Sequence, residues 1–167
     1  MRNPDSVSKG LTLSIYVASS WRNRVLQQEA VKLLRAEGHD VYDFTDPAND
    51  RGAFSWSDLG TERPEDWSPE RCIEFLSHPR AEEGFRQDFD AMLRSDACVL
   101  VLPAGRSANL EAGWFVGNGR ILVVVKDHGT PDLMYKMADA VVPSVARAVE
   151  WFRGAVPKVR LAPGGGR

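Results

Sequence analysis

The residue of this 167-residue sequence best placed to do chemistry is Glu111. It lies within residues 95–125, SDACVLVLPAGRSANLEAGWFVGNGRILVVV, which read as a buried strand, a glycine-containing turn, a short helix and a second buried strand. A carboxylate near the start of a helix is favoured by the helix dipole, and that alone accounts for an acid at this position. The neighbours point further. Ala112 and Gly113 are small enough to let a substrate or another backbone approach, and Trp114 and Phe115 supply apolar surface that would keep a buried carboxylate dry and reactive. Among the nearby aspartates, Asp96 reads as a turn residue at a helix–strand junction and Asp90 as solvated. Asp88, two turns before Asp96, can face over the edge of a sheet. A pair such as Glu111 and Asp88 suits glycosidic chemistry, in which one carboxylate attacks and a second acid assists the leaving group.

Other groups could serve such a pair. Tyr16 ends the first strand, where its hydroxyl either reaches a site carboxylate or packs as an ordinary strand tyrosine. The turn at residues 103–109, PAGRSAN, opens a helix whose free N–H groups and dipole favour anions. There Gly105 allows a tight turn, Ser107 can cap the helix, Arg106 can meet a phosphate or carboxylate, and Asn109 closes the turn. The turn has neither the P-loop pattern nor G-x-G-x-x-G. His39, His78 and His128 are scattered, so neither a metal site nor a Ser-His-Asp arrangement is expected.

These residues need elements to carry them. Residues 11–17 (LTLSIYV) predict a first strand, and residues 21–37 a helix with Val25, Leu26, Ala30, Val31, Leu33 and Leu34 inward and Gly38 as its C-terminal cap. Residues 40–44 predict a second strand. Residues 45–68, broken by Pro47, Gly52, Gly60 and Pro64, form a long connection whose Phe54, Trp56 and Trp67 suit a lid or binding loop. Ser68-Pro69 starts a helix ending near Ser77. Residues 80–94 predict another, with Phe85, Phe89, Met92 and Leu93 on one face. Strands at 97–102 and 121–125 flank the helix at 107–117. A short helix at 131–137, a weak strand at 140–142 and a helix at 144–153, buried through Val145, Ala148, Val149 and Phe152, complete the domain. Residues 1–10 are expected to be a flexible arm, 11–155 the domain, and 156–167 a disordered tail.

Strands alternating with helices imply a five-stranded, doubly wound parallel sheet, flavodoxin-like or Rossmann-like, in a single α/β domain. Ligands of such sheets bind beyond the carboxyl ends of the strands, which here selects residues 18–22, 45–68, 103–109 and 126–129.

Composition narrows the partner. A net charge of −2 provides no basic field for a nucleic-acid polymer, leaving a small metabolite, neutral or anionic, as the partner. Cys72 and Cys98 are far apart and belong to no C-x-x-C pair, so neither a disulfide framework nor zinc is expected. The start has no apolar leader segment and the longest apolar runs are too short for a membrane span, which predicts a cytoplasmic protein with no membrane partner.

Four segments together resemble the nucleoside 2-deoxyribosyltransferase-like family. They are Ile15-Tyr16-Val17-Ala18-Ser19-Ser20-Trp21, Gly38-His39-Asp40-Val41-Tyr42-Asp43-Phe44, Asp88-x-x-x-Met92-x-x-x-Asp96, and Gly105-Arg106-Ser107-Ala108-x-x-Glu111-Ala112-Gly113. The resemblance implies cleavage of the N-glycosidic bond of a nucleoside or nucleoside monophosphate, with transfer to a second base or to water. Glu111 would attack C1′ and form a glycosyl-enzyme, Tyr16 would orient it, and Asp88 would handle the proton of the departing base. Ser19, Trp21, Phe44, Trp56, Gly105, Arg106, Ser107, Asn109 and Trp114 would bind substrate, with no cofactor, in a homodimer or higher homo-oligomer. Gly105-Arg106-Ser107 departs from the transferases, which carry an acid there for the sugar hydroxyls, and resembles more the phosphate-tolerant surroundings of related nucleotide N-glycosidases. An NAD-cleaving glycosidase of the Toll/interleukin-receptor type and a non-catalytic nucleotide-binding module stand as alternatives.

Overall fold

The computed structural model describes residues 12–47, 52–60 and 63–154. The expected N-terminal arm and C-terminal tail, and parts of the 45–68 connection, lie outside the described residues. Five strands, β1 (Ser14–Ala18), β2 (Asp40–Tyr42), β3 (Ala97–Val101), β4 (Ile121–Val125) and β5 (Ala140–Val142), form one sheet in the order β2-β1-β3-β4-β5, with every pairing parallel. This is the expected flavodoxin-like α/β architecture. The chain runs outward from β1 to β2 and then crosses back to β3 on the other side of β1. The carboxyl ends of β1 and β3 therefore flank the switch in strand order, where doubly wound sheets leave a crevice.

Among the described residues five α-helices cover the sheet: α1 (Arg24–Ala36), α2 (Pro69–Leu76), α3 (Pro79–Arg94), α4 (Arg106–Gly117) and α5 (Val145–Gly154). Side chains alternate along each strand, so the sheet has two distinct faces. Ile15, Val17, Val99, Val101, Val123 and Val125 meet α1 and α5 in one apolar core. Tyr16, Ala18, Cys98, Leu100, Leu122 and Val124 meet Ala91 and Met92 of α3 and Ala108, Ala112 and Phe115 of α4 in the other. The second face carries the candidate site.

Local signals explain the helix ends. The Ser68 hydroxyl accepts the Arg71 N–H ahead of α2, and His78 Nδ1 accepts the Arg80 N–H at 3.1 Å ahead of α3, with proline in the first turn of each. Gly38, at φ +87°, ends α1 in the left-handed conformation that glycine adopts without steric cost. Asp96 accepts the Ser14 N–H at 2.8 Å, a turn role as expected, and Asp90 is exposed.

Several expectations change. β1 starts at Ser14 and runs to Ala18, β2 stops at Tyr42, and residues 21–23 and 133–137 form 3-10 turns, not α-helix. Val25 is 83% exposed, because α1 is rotated to bury Gln27, whose amide donates to the buried Asp43 carboxylate. Phe85 and Leu93 of α3 also face outward; the buried side of that helix is Ala81, Gly84, Ala91 and Met92. Small residues there let α3 lie close to the sheet and its cover. No helix among the described residues is long and apolar enough to cross a membrane.

The rotation of α1 has a measurable consequence. Leu34→Ala should cost about 2–5 kcal/mol in urea unfolding, as truncation of a core leucine does, while Val25→Ala should change stability by less than about 0.5 kcal/mol. Equal effects would contradict the orientation of the helix.

Candidate active site

The parallel register brings the site together. Tyr16 of β1 is level with Tyr42 of β2 and with Cys98 of β3, so the two tyrosines point to the α3/α4 face side by side. Their rings stack at 5.2 Å, and the Tyr16 ring also meets Phe115 of α4 at 5.9 Å. Above them the two helices contribute one acid each. Tyr42 donates its hydroxyl hydrogen to Asp88 of α3 at 2.7 Å. The Tyr16 hydroxyl interacts with Glu111 of α4.

Burial dominates the electrostatics. It raises the pKa of Glu111 from an ordinary 4.5 to about 7; the nearby charge of Asp88 adds to the rise, and hydrogen bonding by Tyr16 opposes it. Burial likewise raises Asp88, against the pull of the Tyr42 hydrogen bond. Both tyrosines are pushed up by burial and by the neighbouring acids, which keeps them as neutral donors.

Tyr16, Asp88 and Glu111 line a cleft of about 800 Å³ at the switch point, within the range of roughly 300–1,000 Å³ usual for small-molecule sites. Ser19 and Trp21 line it from the turn after β1, Phe44 from the turn after β2, and Gly105, Arg106 and Ser107 from the turn after β3. Gly105, not Ser107, occupies the N-cap of α4, so Ser107 lies within the first turn of the helix. Trp21 and Phe44 meet edge to face at 5.3 Å. The 45–68 connection supplies the remaining wall through two 3-10 turns, Trp56–Leu59 and Pro64–Asp66. Its aromatic rings form a chain in which Phe54 meets Trp56, Trp56 meets Trp67, and Trp67 meets Phe75 of α2. Phe54, Trp56 and Trp67 line the cleft. The buried Nε1–H of Trp67 has no partner among the described residues.

Two expected binding residues lie elsewhere. Trp114 packs against Phe89 and Phe115 and carries the Arg120 guanidinium on its ring at 5.0 Å. That guanidinium is fixed by the carbonyls of Met92, Leu93 and Ser95 at the end of α3, so Trp114 is held away from the cleft. Asn109 spends its amide on the Gly105 carbonyl of its own helix, at 2.8 Å, and is exposed. Among the described residues no group of three histidine, cysteine or acidic side chains could hold a metal.

Other contributors were not singled out from the sequence. Tyr42 is level with Tyr16 in the neighbouring strand, a relation visible only once the strands are paired. Asn23, nearly buried, sends its amide to Ser19 Oγ and to the carbonyls of Val101 and Pro103, while Ser19 donates to the Val101 carbonyl at 2.8 Å. This ties the end of β1 to the end of β3 across the switch point. Gly84, in mid-helix on α3, lets Phe54 sit against the helix backbone: a Cβ there would come within 2.8 Å of Phe54 Cβ and 2.9 Å of Cγ. Arg80 reinforces that contact, stacking on the Phe54 ring and donating to the carbonyls of Gly52 and Ala53.

A doubly wound sheet with two buried carboxylates at its switch point defines the class of site. The chain matches no protein-family model and no curated protein sequence. Among solved structures it is similar to a 2-deoxyribosyltransferase from the psychrotolerant bacterium Bacillus psychrosaccharolyticus, at 18% identity and a TM-score of 0.51, over 81% of this chain and 89% of that one. It is also similar to the Clostridium botulinum CMP N-glycosidase BcmB, at 13% identity and a TM-score of 0.42, over 81% and 93% of the two chains. At these identities the likeness is one of fold.

Two outcomes follow from this geometry. Because the folded state holds Glu111 near 7, it binds more protons than the unfolded chain between pH 4.5 and 7, and stability falls as pH rises through that window. Glu111→Gln removes this, so its stability advantage in urea unfolding should grow across the window by up to roughly 3 kcal/mol and then level off. A constant difference would contradict the burial. In an ordinary helix Gly→Ala adds about 0.5–1 kcal/mol. Gly84→Ala should instead destabilise and alter tryptophan fluorescence, and should turn stabilising in a Phe54→Gly background.

Proposed function

We infer that the protein cleaves the N-glycosidic bond of a nucleoside or nucleoside monophosphate by way of a covalent glycosyl-Glu111 intermediate. The observation that carries this reading is the half-buried Glu111–Asp88 pair, each carboxyl facing its own tyrosine hydroxyl, in a cleft with an aromatic wall. Two interacting carboxyls whose pKa values are both raised share protons as a pair, and the reactive form holds one proton between them. The proton rests mainly on Glu111, whose pKa is raised to about 7, and attack proceeds from the arrangement in which it has moved to Asp88 and left Glu111 ionised. A Glu111 oxygen attacks C1′ as the bond to the base nitrogen breaks; the base takes the bonding electrons and receives the Asp88 proton. Water or a second base then attacks C1′, gives its proton to Asp88 and releases Glu111 with net retention of configuration.

The wall chemistry fits the same substrate. Trp21, Phe44, Phe54, Trp56 and Trp67 offer faces and edges on which a flat base packs. Arg106 and Ser107, in the first turn of α4 and also lining the cleft, suit a sugar hydroxyl or 5′-phosphate, since cation, hydroxyl and helix dipole all favour an anion there. The similarity of fold to a 2-deoxyribosyltransferase supports the assignment, because that protein acts on the same bond.

A panel of nucleosides, nucleoside 5′-monophosphates and NAD, each with and without acceptor bases, tests the reading by chromatography of released or exchanged base. Turnover of at least one nucleoside or monophosphate is expected, with loss of activity in Glu111→Ala. No release from any of them, or full activity in Glu111→Ala, would overturn it. The kcat/KM profile should be bell-shaped with its upper limb near pH 7, where the pair loses its last proton. Tyr16→Phe removes a hydrogen bond that lowers the Glu111 pKa, so that limb should move to higher pH.

A further inference from the structure

Tyr42 meets Tyr16 ring to ring, and a phenylalanine would make that contact equally well. What the tyrosine adds is a hydroxyl, whose single hydrogen is given to Asp88 Oδ1 at 2.7 Å. Because β1 and β2 are in register at these two residues, the rings lie 5.2 Å apart and within 20° of parallel. Each hydroxyl serves one acid, Tyr16 serving Glu111 and Tyr42 serving Asp88. Two chemically identical donors therefore face two carboxyls close enough to feel each other's charge.

A donor favours the ionised form of the carboxyl it faces. Like charges at close range disfavour ionisation of both acids at once, so the pair keeps one proton near neutrality. Under that condition the tyrosines compete. Tyr16 favours ionised Glu111 and sends the proton to Asp88, whereas Tyr42 favours ionised Asp88 and sends it to Glu111. Other titratable groups surround the pair. The Cys98 thiol of β3, which feels the charge of Glu111, is kept neutral by burial. Burial and Asp88 push the Tyr42 pKa up while Arg94 of α3 pulls against them, and Tyr42 stays a neutral donor. Arg22, Glu65 and Arg106 line the same cleft. All of these stay in place when one hydroxyl is removed.

We propose that Tyr42 is a positioning residue for the shared proton: acting through Asp88, its hydroxyl parks that proton on Glu111, in opposition to Tyr16. In the proposed reaction this leaves the nucleophile capped at rest. A base whose ring nitrogen or carbonyl accepts a hydrogen bond from Asp88 favours the protonated form of that acid, and so draws the proton off Glu111 as it is seated. Glu111 is then freed when there is a bond to cleave and stays capped in an empty cleft. That consequence rests on the proposed reaction; the placement of the proton does not.

The test needs no substrate, so its failure is distinct from a failure of the reaction. Isotope-labelled carboxyl carbons of aspartate and glutamate, read by NMR at about pH 6, report which acid holds the proton. Asp88→Asn and Glu111→Gln identify the two signals. The unaltered protein should hold the proton mainly on Glu111. In Tyr42→Phe the ratio of protonated Asp88 to protonated Glu111 should rise by roughly tenfold or more, as expected for a lost hydrogen bond to a charged group. In Tyr16→Phe the same ratio should fall, and the double variant should lie between the two. Loosened packing would move both single variants the same way, so opposite signs single out the hydroxyls. A proton resting on Asp88 in the unaltered protein, an unchanged ratio in Tyr42→Phe, or a shift of both variants in one direction would overturn the proposal.

Discussion

The site depends on keeping two carboxyl groups out of water beside each other, with only one tyrosine hydroxyl facing each. Burying charge without full compensation is unfavourable, and near neutrality the protein meets that cost by holding Glu111 partly protonated. The surroundings follow from this constraint. The backbones of α3 and α4 must approach the sheet closely, so their inner positions are Ala81, Gly84, Ala91, Ala108 and Ala112. The donors must be polar at one end and apolar along their length, so that they can cross a hydrophobic layer. Tyr16 and Tyr42 meet that need from adjacent strands. The opposite face of the sheet, against α1 and α5, is an unbroken aliphatic core that supplies stability without taking part.

Asp43 provides an internal contrast. It too is a buried acid at the carboxyl end of a strand, and burial pushes its pKa up. Four hydrogen bonds, from the Gln27 and Gln28 amides and from the Thr45 hydroxyl and backbone N–H, more than reverse that push and hold it below the ordinary value. A carboxylate so fully satisfied is an anchor: it fixes the turn that presents Phe44 to the cleft. Glu111 has fewer donors and a like charge nearby, and its pKa is raised to about 7. The hydrogen-bond donors around Asp43 separate its lowered pKa from the raised pKa of Glu111.

The same economy of size shapes the cover of the cleft and the outer surface. Gly84 admits Phe54 against the backbone of α3, and Phe54 seats the chain of aromatic rings that runs to Phe75. With small residues inward, Phe85 and Leu93 of α3 turn out and Phe89 meets Trp114 of α4. Arg120 then clamps Trp114 by stacking on it while capping the carbonyl end of α3. Trp114 thereby serves the seam between the helices and not the cleft.

Much of this was legible in the chain. The continuous apolar runs of β3 and β4, the serine–proline start of α2, the Gly38 stop of α1 and the alternation of strands with helices are local signals, read from neighbours in sequence, and they specify a doubly wound sheet and the turns at its switch point. Glu111, Asp88 and Tyr16 stand out by type and position for the same reason. Their meeting does not follow from any local pattern. It rests on the register that sets Tyr16 level with Tyr42 and on the helix rotations that turn Asp88 and Glu111 inward, Gln27 under and Val25 out. Those rotations are decided by contacts between segments tens of residues apart, such as Gln27 with Asp43 and Phe54 with Gly84. Hydrophobic periodicity finds a helix's apolar residues; only packing decides which of them face the core, and so tertiary structure alone placed Trp114 outside the cleft and Tyr42 within reach of Asp88.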